Sequence, residues 1–185
     1  MKFEKFEIEG PILCKPKIIN DERGFFSEIF RKNLLENFSK QKYSFCQSNI
    51  SKSKKGVLRG LHFQTYPHSQ TKLLSVSKGK ILDLIVDLRK DSDTYGKGIK
   101  IILNDTDHFQ LLIPKGFAHG FLVLSETAIV NYQVDAYYNK DYDFGINSLD
   151  SELNFNLESY SKEIIRSPRD YNLPNLKDSP KYRFL

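Results

Sequence analysis

Long apolar runs, a disulfide framework and one-sided basic segments are all missing from this chain of 185 residues, and each absence excludes a class of protein. No apolar stretch approaches the ~18 residues that a membrane-spanning helix requires, so no membrane partner is expected. Cys14 and Cys46 are too few for a disulfide scaffold and stand outside any CxxC spacing, which leaves them as ordinary buried thiols. The opening MKFEKFEIEG interleaves Lys and Glu with apolar residues instead of placing a basic block before an apolar one. It therefore does not read as a secretory signal, and a cytoplasmic protein is expected. Repeats, low-complexity tracts and linkers are also missing, so one domain over residues 1–185 is the expectation.

The charge balance is modest. Twenty-eight basic residues against 23 acidic ones give a net charge of +5, and the two signs are interspersed. Neither the cluster Lys52, Lys54 and Lys55 nor the tail Lys177, Lys181 and Arg183 gathers on one helix face as in a DNA reader, so no nucleic-acid partner is expected. A small anionic substrate accounts for the positive bias equally well.

Short strands separated by turn signals are what the sequence has in abundance. The alternation predicts strands over 47–50, 57–64, 72–77, 80–88, 98–103, 109–113, 120–124 and 127–135, with turns at SKGK, DSDTYGKG and NDTD. Eight or more strands at this spacing predict an all-β jelly-roll barrel. Helices are expected only at 31–40 and 158–165, and the proline-bearing tail is expected to wrap the body as irregular chain.

Three segments place polar groups where packing alone would not. In LRGLHFQ, period-2 alternation sets Gly60, His62 and Gln64 on one face and Arg59, Leu61 and Phe63 on the other. For Arg59 to serve the same cavity as His62 the strand must change parity between them, and Gly60 is the residue that permits a bulge. In LLIPKGFAHGFLVLSE, Pro114 and Gly116 mark a turn and His119 follows three residues later. This P-x-G-x-x-H spacing resembles the second signature of the cupin jelly rolls. The first cupin signature carries H-x-H, whereas this chain has His62-Phe63-Gln64, so a facial metal triad is short of donors and no metal is expected. In VNYQVDAYY, Tyr132 shares a face with Val130 and Val134 and reads as an inward phenol. Lys72 opens the strand KLLSVS.

Taken together, DERGFFSEIF, QSNISKSKKGVLRGLHFQ, QTKLLSVSKGKILDLIVDLRKDSDTYGK, LLIPKGFAHGFLVLSE and SPRDYNLP resemble the dTDP-4-dehydrorhamnose 3,5-epimerase family of cupin-type nucleotide-sugar epimerases. The resemblance implies His62 as general base, Asp170 as the carboxylate that orients it, and Tyr132 as the acid on the other side of the sugar. It implies Lys72 and His119 in the sugar pocket. Arg23, Glu28, Gln47, Asn49, Arg59, Tyr138, Asp143 and Arg169 would hold the nucleotide and its phosphates. It also implies a homodimer, in which part of the N-terminal segment reaches the neighbour's site, and no cofactor. The chain departs from the family at Asp143, usually Glu, at Ser148, usually Trp, and at Ser75, often Arg. These departures are expected around the substrate envelope, which leaves dTDP, GDP or CDP as the nucleotide, a hexose or heptose as the sugar, and inversion at C3, C5 or both.

The chemistry suits the residues. A 4-keto group acidifies the C–H bonds at C3 and C5, because loss of either proton gives an enolate whose charge rests on the ketone oxygen. An imidazole with an ordinary pKa near 6.5 suits proton removal at neutral pH. A lysine beside the enolate oxygen stabilises it, a phenol returns the proton, and arginine forks match diphosphate oxygens. A 3,4-ketoisomerase, a metal-dependent cupin dioxygenase and a non-catalytic sugar-binding cupin remain as alternatives.

Overall fold

Two antiparallel sheets face each other in the structure, a computed structural model that describes residues 1–184. In chain order the strands are β1 (Lys2–Lys5), β2 (Ile12–Lys15), β3 (Ile18–Asp21), β4 (Gly24–Ser27), β5 (Gln47–Lys54), β6 (Leu58–Gln64), β7 (Lys72–Lys78) and β8 (Lys80–Asp87). They continue as β9 (Gly98–Asn104), β10 (Gln110–Ile113), β11 (Phe117–Val123), β12 (Thr127–Val134) and β13 (Asp143–Gly145). Two helices, α1 (Lys32–Ser39) and α2 (Pro168–Tyr171), complete the regular structure together with short 3-10 turns. One sheet has the order β1-β2-β10-β7-β12-β5, the other β13-β6-β11-β8-β9, and β3 and β4 form a separate hairpin. This is the jelly-roll arrangement that the strand spacing predicts.

Strand alternation divides the apolar residues into three layers. Leu74 and Val76 of β7, Ile81 and Ile85 of β8, Phe117 and Phe121 of β11 and Val130 of β12 point inward and fill the space between the sheets. The alternate residues of β6, β8 and β11, such as Leu61, Phe63, Leu82, Leu84 and Leu122, face outward and are covered by Ile146, Leu153, Phe155 and Phe184 of the C-terminal segment. On the other sheet Ile12, Leu73 and Leu112 face outward beneath Leu35 of α1 and Tyr43. The central strands β8, β10 and β11 are therefore buried on both faces, whereas β5 and β9 at the sheet edges keep one face toward solvent. Among the described residues no helix is long and apolar enough to cross a membrane.

The structure differs from the sequence expectations at several elements. Strand β11 begins at Phe117 instead of residue 120, so His119 lies within a strand and not in the approach to one. Strand β5 runs on to Lys54, four residues beyond its expected end. The helix expected over 158–165 does not form. Only Leu157–Ser159 makes a 3-10 turn, and Ile165 lies extended beside Val57, donating to Gly56 O at 2.8 Å while its own carbonyl accepts from Leu58 N at 2.8 Å. The physical reason is tertiary: these backbone groups find partners at the start of β6 and in the turn before it, and Ile164 packs on the outer core. The tail is irregular apart from a 3-10 turn at Leu176–Asp178 and α2, which starts because Pro168 presets the helical φ and Ser167 accepts from the Asp170 amide.

Candidate active site

The parity change required at Gly60 is present. On β11, His119 stands opposite His62 and Phe121 opposite Arg59, so two steps along β11 match three along β6. The extra residue is accommodated at Gly60, where φ is +104°, a left-handed value that glycine adopts without steric cost. A Cβ there would come within 2.7 Å of Gly120 Cα and of the His119 carbonyl oxygen. The bulge turns Arg59 and His62 into the same cavity, while Leu61 and Phe63 remain in the outer core.

That cavity, of about 470 Å³, lies between the sheets. His62 of β6 and His119 of β11 reach it from the five-stranded sheet, and Lys72 of β7 and Tyr132 of β12 from the six-stranded one. Tyr138, Asp143 and Arg169 stand around it together with Arg59 and the buried Asp170. Of the 13 residues singled out in the sequence, these nine line the cavity.

His62 Nε2 lies 2.7 Å from Asp170 Oδ1. Burial alone would push the Asp170 carboxyl up, but hydrogen bonding and charge from His62, the Gly60 amide and Ser167 outweigh it and hold it below the usual carboxylate range. An ionised carboxylate only accepts, so Nε2 carries a proton and Nδ1 of the neutral ring is left as the basic nitrogen. Lys72 Nζ donates to the His62 carbonyl at 3.2 Å. Burial lowers the Lys72 pKa to about 8, opposed by the charges of Asp143 and Asp83. Burial raises the Tyr132 pKa, with Asp143 acting in the same direction and Arg59 against it, so the phenol stays protonated at neutral pH. At the rim Asp143 Oδ2 accepts from Arg169 Nη1 at 2.7 Å and from the Tyr138 hydroxyl at 3.0 Å.

Four of the expected residues do not line this cavity. Gln47 and Asn49 lie on β5 beside it: Asn49 is the register partner of Tyr132, and Gln47 donates to Asn49 Oδ1 and accepts from the Tyr138 amide. Arg23 belongs to the turn of the β3–β4 hairpin and Glu28 follows its second strand, where they pair with Asp21 and Arg31. Two of the three departures from the family pattern also lie off the cavity. Ser75 lies between the inward Leu74 and Val76 and so faces outward, and Ser148 is buried away from the cavity; only Asp143 lines it.

The sequence reading missed Asp83. It is fully buried on β8 and its Oδ2 lies 2.8 Å from His119 Nε2. The signal was available: in ILDLIVDL the residue shares parity with Ile81 and Ile85, so a carboxylate occupies a position facing the core. No group of three or more His, Cys, Asp or Glu side chains among the described residues is arranged to hold a metal ion.

Several known proteins are similar to this chain over nearly its whole length. A dTDP-4-dehydrorhamnose 3,5-epimerase of Methanothermobacter thermautotrophicus is 41% identical over 183 residues, covering 98% of this chain and 97% of that protein. The crystal structure of the dTDP-4-dehydrorhamnose 3,5-epimerase of Elizabethkingia anophelis NUHP1 superposes with a TM-score of 0.93 at 40% identity, over 98% of this chain and 99% of that one. The structure of dTDP-6-deoxy-D-glucose-3,5-epimerase from Legionella pneumophila Philadelphia 1, in complex with dTDP-4-keto-L-rhamnose, also gives 0.93, at 37% identity over 100% and 98% of the two chains. Residues 5–178 match the family as a whole, and with the cavity and its histidine, tyrosine and lysine in place the chain belongs to the dTDP-4-dehydrorhamnose 3,5-epimerase family.

Proposed function

We propose that this protein is a nucleotide-sugar epimerase that inverts C3 and C5 of a dTDP-linked 4-keto-6-deoxyhexose by proton removal and return. The observation that carries this reading is the placement of an Asp-oriented imidazole and a protonated phenol on different sheets around one cavity. His62 Nδ1 takes the proton from the acidified carbon. Asp170 keeps the ring oriented and stabilises the imidazolium that forms. The enolate oxygen lies by the Lys72 ammonium, where a preorganised cation lowers the barrier by roughly 3–4 kcal/mol. Tyr132 returns a proton from the other side, which inverts the centre. Arg59 and Arg169 supply guanidinium forks for the diphosphate, and the ligand carried by the Legionella relative supports dTDP as the nucleotide.

Arg23 and Glu28 stand outside the cavity on a hairpin whose Ile19, Phe25 and Phe26 are exposed. This supports a homodimer in which the hairpin completes the neighbouring site. Mixing two inactive variants, Arg23→Ala and His62→Asn, then restores part of the activity, because one hybrid site receives both intact residues.

The direct test is incubation in D₂O with dTDP-4-keto-6-deoxyglucose, following C3 and C5 by NMR. Deuterium enters both positions and the rhamno-configured product appears. Migration of the carbonyl to C3, or binding with no exchange, would overturn the reading in favour of a ketoisomerase or a non-catalytic cupin.

A further inference from the structure

We propose that Asp83 is a positioning residue of this site, a buried counter-charge that fixes the orientation of His119 and keeps Lys72 in its ammonium form. The inference rests on the function proposed above, and it concerns a residue outside the catalytic set already described.

Asp83 occupies a core position. It is fully buried on the inner face of β8, and its neighbours on that face, Ile81 and Ile85, are also fully buried. Packing alone would be served by an aliphatic side chain, since a carboxylate in such a place loses its hydration unless charge or hydrogen bonds replace it. Only one of its oxygens is engaged: Oδ2 meets His119 Nε2 at 2.8 Å, and Oδ1 has no hydrogen-bond partner among the described residues. The compensation is therefore incomplete within hydrogen-bond reach, and the remaining counter-charge is Lys72 of β7. Asp83 is one of two carboxylates whose field favours the Lys72 ammonium, the other being Asp143 of β13.

The site contains a second, different pair of the same kind. His62 and His119 stand opposite each other on β6 and β11, and each has a carboxylate on Nε2. Asp170 is further supported by the Gly60 amide and Ser167 and is held ionised. Asp83 has no such support, and burial pushes its carboxyl upward, opposed by His119 and then Lys72. The groups that act on Lys72 or share its cavity are Asp83 on β8, Asp143 on β13, His62 and Arg59 on β6, His119 on β11, Tyr132 on β12, Tyr138 in the loop after β12, and Arg169 and Asp170 of α2. Among them Asp83 and Asp143 are the carboxylates that act on the lysine, and Asp143 is already engaged by Arg169 and Tyr138.

Two measurements on the full chain test this. The first needs no substrate and no Asp83 variant: with ¹⁵N-labelled histidine, the His119 ring, identified by its loss in His119→Gln, shows a protonated Nε2 from about pH 6 to 8. An unprotonated Nε2 in that range would overturn the proposal, since an ionised Asp83 cannot then be its partner. The second is the pH profile of kcat in Asp83→Asn. Removing the charge moves the alkaline limb set by Lys72 to lower pH by about half a unit or more. It also lowers kcat by about tenfold, with KM changed less than about threefold. A folded variant whose limb stays in place would reduce Asp83 to a structural role. Should Asp83→Asn not fold, the ring measurement on the unmodified protein decides. Absence of any C–H exchange in the unmodified protein would instead defeat the epimerase reading, and the ring tautomer would be unaffected by that result.

Discussion

His62 and Tyr132 reach one cavity from two different sheets, the imidazole from β6 and the phenol from β12. Inversion of a carbon centre needs this separation, because a proton taken and returned by the same group on the same side regenerates the starting configuration. Replacing Tyr132 with Phe keeps the ring in the core and removes only the hydroxyl. Exchange of the C3 or C5 proton for deuterium is expected to survive in part, while formation of inverted product falls by about 10²–10⁴. NMR in D₂O reads both at once, and equal loss of exchange and inversion would show that Tyr132 also takes part in proton removal.

In the proposed mechanism His62 and Asp170, 2.7 Å apart, act as a unit, so their losses should not add. His62→Asn is expected to abolish exchange. In Asp170→Asn the side-chain amide can donate to Nε2, which favours the wrong tautomer and leaves Nδ1 protonated. Activity then falls by about 10²–10⁴, and the double variant is no worse than His62→Asn alone. Steady-state kinetics of the three proteins checks this.

The site was legible where a residue broke a local rule. His62 and Tyr132 could be read because each interrupts an apolar alternation, and the bulge could be read because Gly60 stands between two polar residues that need the same side. Asp83 obeyed the same logic, yet within ILDLIVDL it passes as one charge in a strand buried on both faces, where neither parity is marked as the polar one. Strands β1 to β4 offered little because each is four residues long and gains its order from pairing with partners distant in sequence or across a turn. The segment 158–165 carries helix-compatible residues, but what decides its conformation is the backbone pairing of Ile165 with Gly56 and Leu58, a contact no local pattern encodes. Ser75 and Ser148 illustrate the same limit: a departure from a family pattern gives no direction, and strand parity and burial place both away from the cavity.

Gly60 links fold to chemistry, so Gly60→Ala should damage both. The new Cβ would clash with the Gly120 Cα and the His119 carbonyl at 2.7 Å, on backbone that cannot retreat without opening the β6–β11 pairing. A left-handed φ of +104° adds its own penalty for a residue with a Cβ. The expected loss is about 1–3 kcal/mol of stability in denaturant unfolding. Activity is expected to fall further than stability explains, because Arg59 and His62 lose their common orientation.

Asp87 supports the fold without touching the site. Its carboxylate is fully buried and accepts from Arg89, Ser92 and Thr94, closing the loop after β8. Burial pushes this carboxyl up, but those hydrogen bonds together outweigh it and hold the pKa below the ordinary value. A depressed folded pKa means stability that is present above the unfolded value, about 3.9, and lost as pH falls through the lower folded one. Asp87→Asn is expected to cost about 1–3 kcal/mol at neutral pH, and the difference from the unmodified protein should shrink below about pH 4. Thermal unfolding at several pH values measures this.

Lys72 is expected to set the alkaline boundary of the proposed activity. In the proposed reaction its ammonium meets the enolate oxygen, and burial lowers its pKa to about 8 against the opposing charges of Asp143 and Asp83. The sign follows from the protonated form being the useful one: kcat holds below pH 8 and declines as pH rises through it. Lys72→Met removes the cation along with its titration, so kcat falls by about 10²–10³ and what remains no longer shows that limb. Lys72→Arg keeps the charge at every accessible pH but replaces a compact ammonium with a planar fork, so the limb disappears while kcat is only partly restored. A decline near pH 8 that persists unchanged in Lys72→Arg would assign the titration to another group in the cavity, with Tyr132 excluded as its source by the upward shift of its phenol.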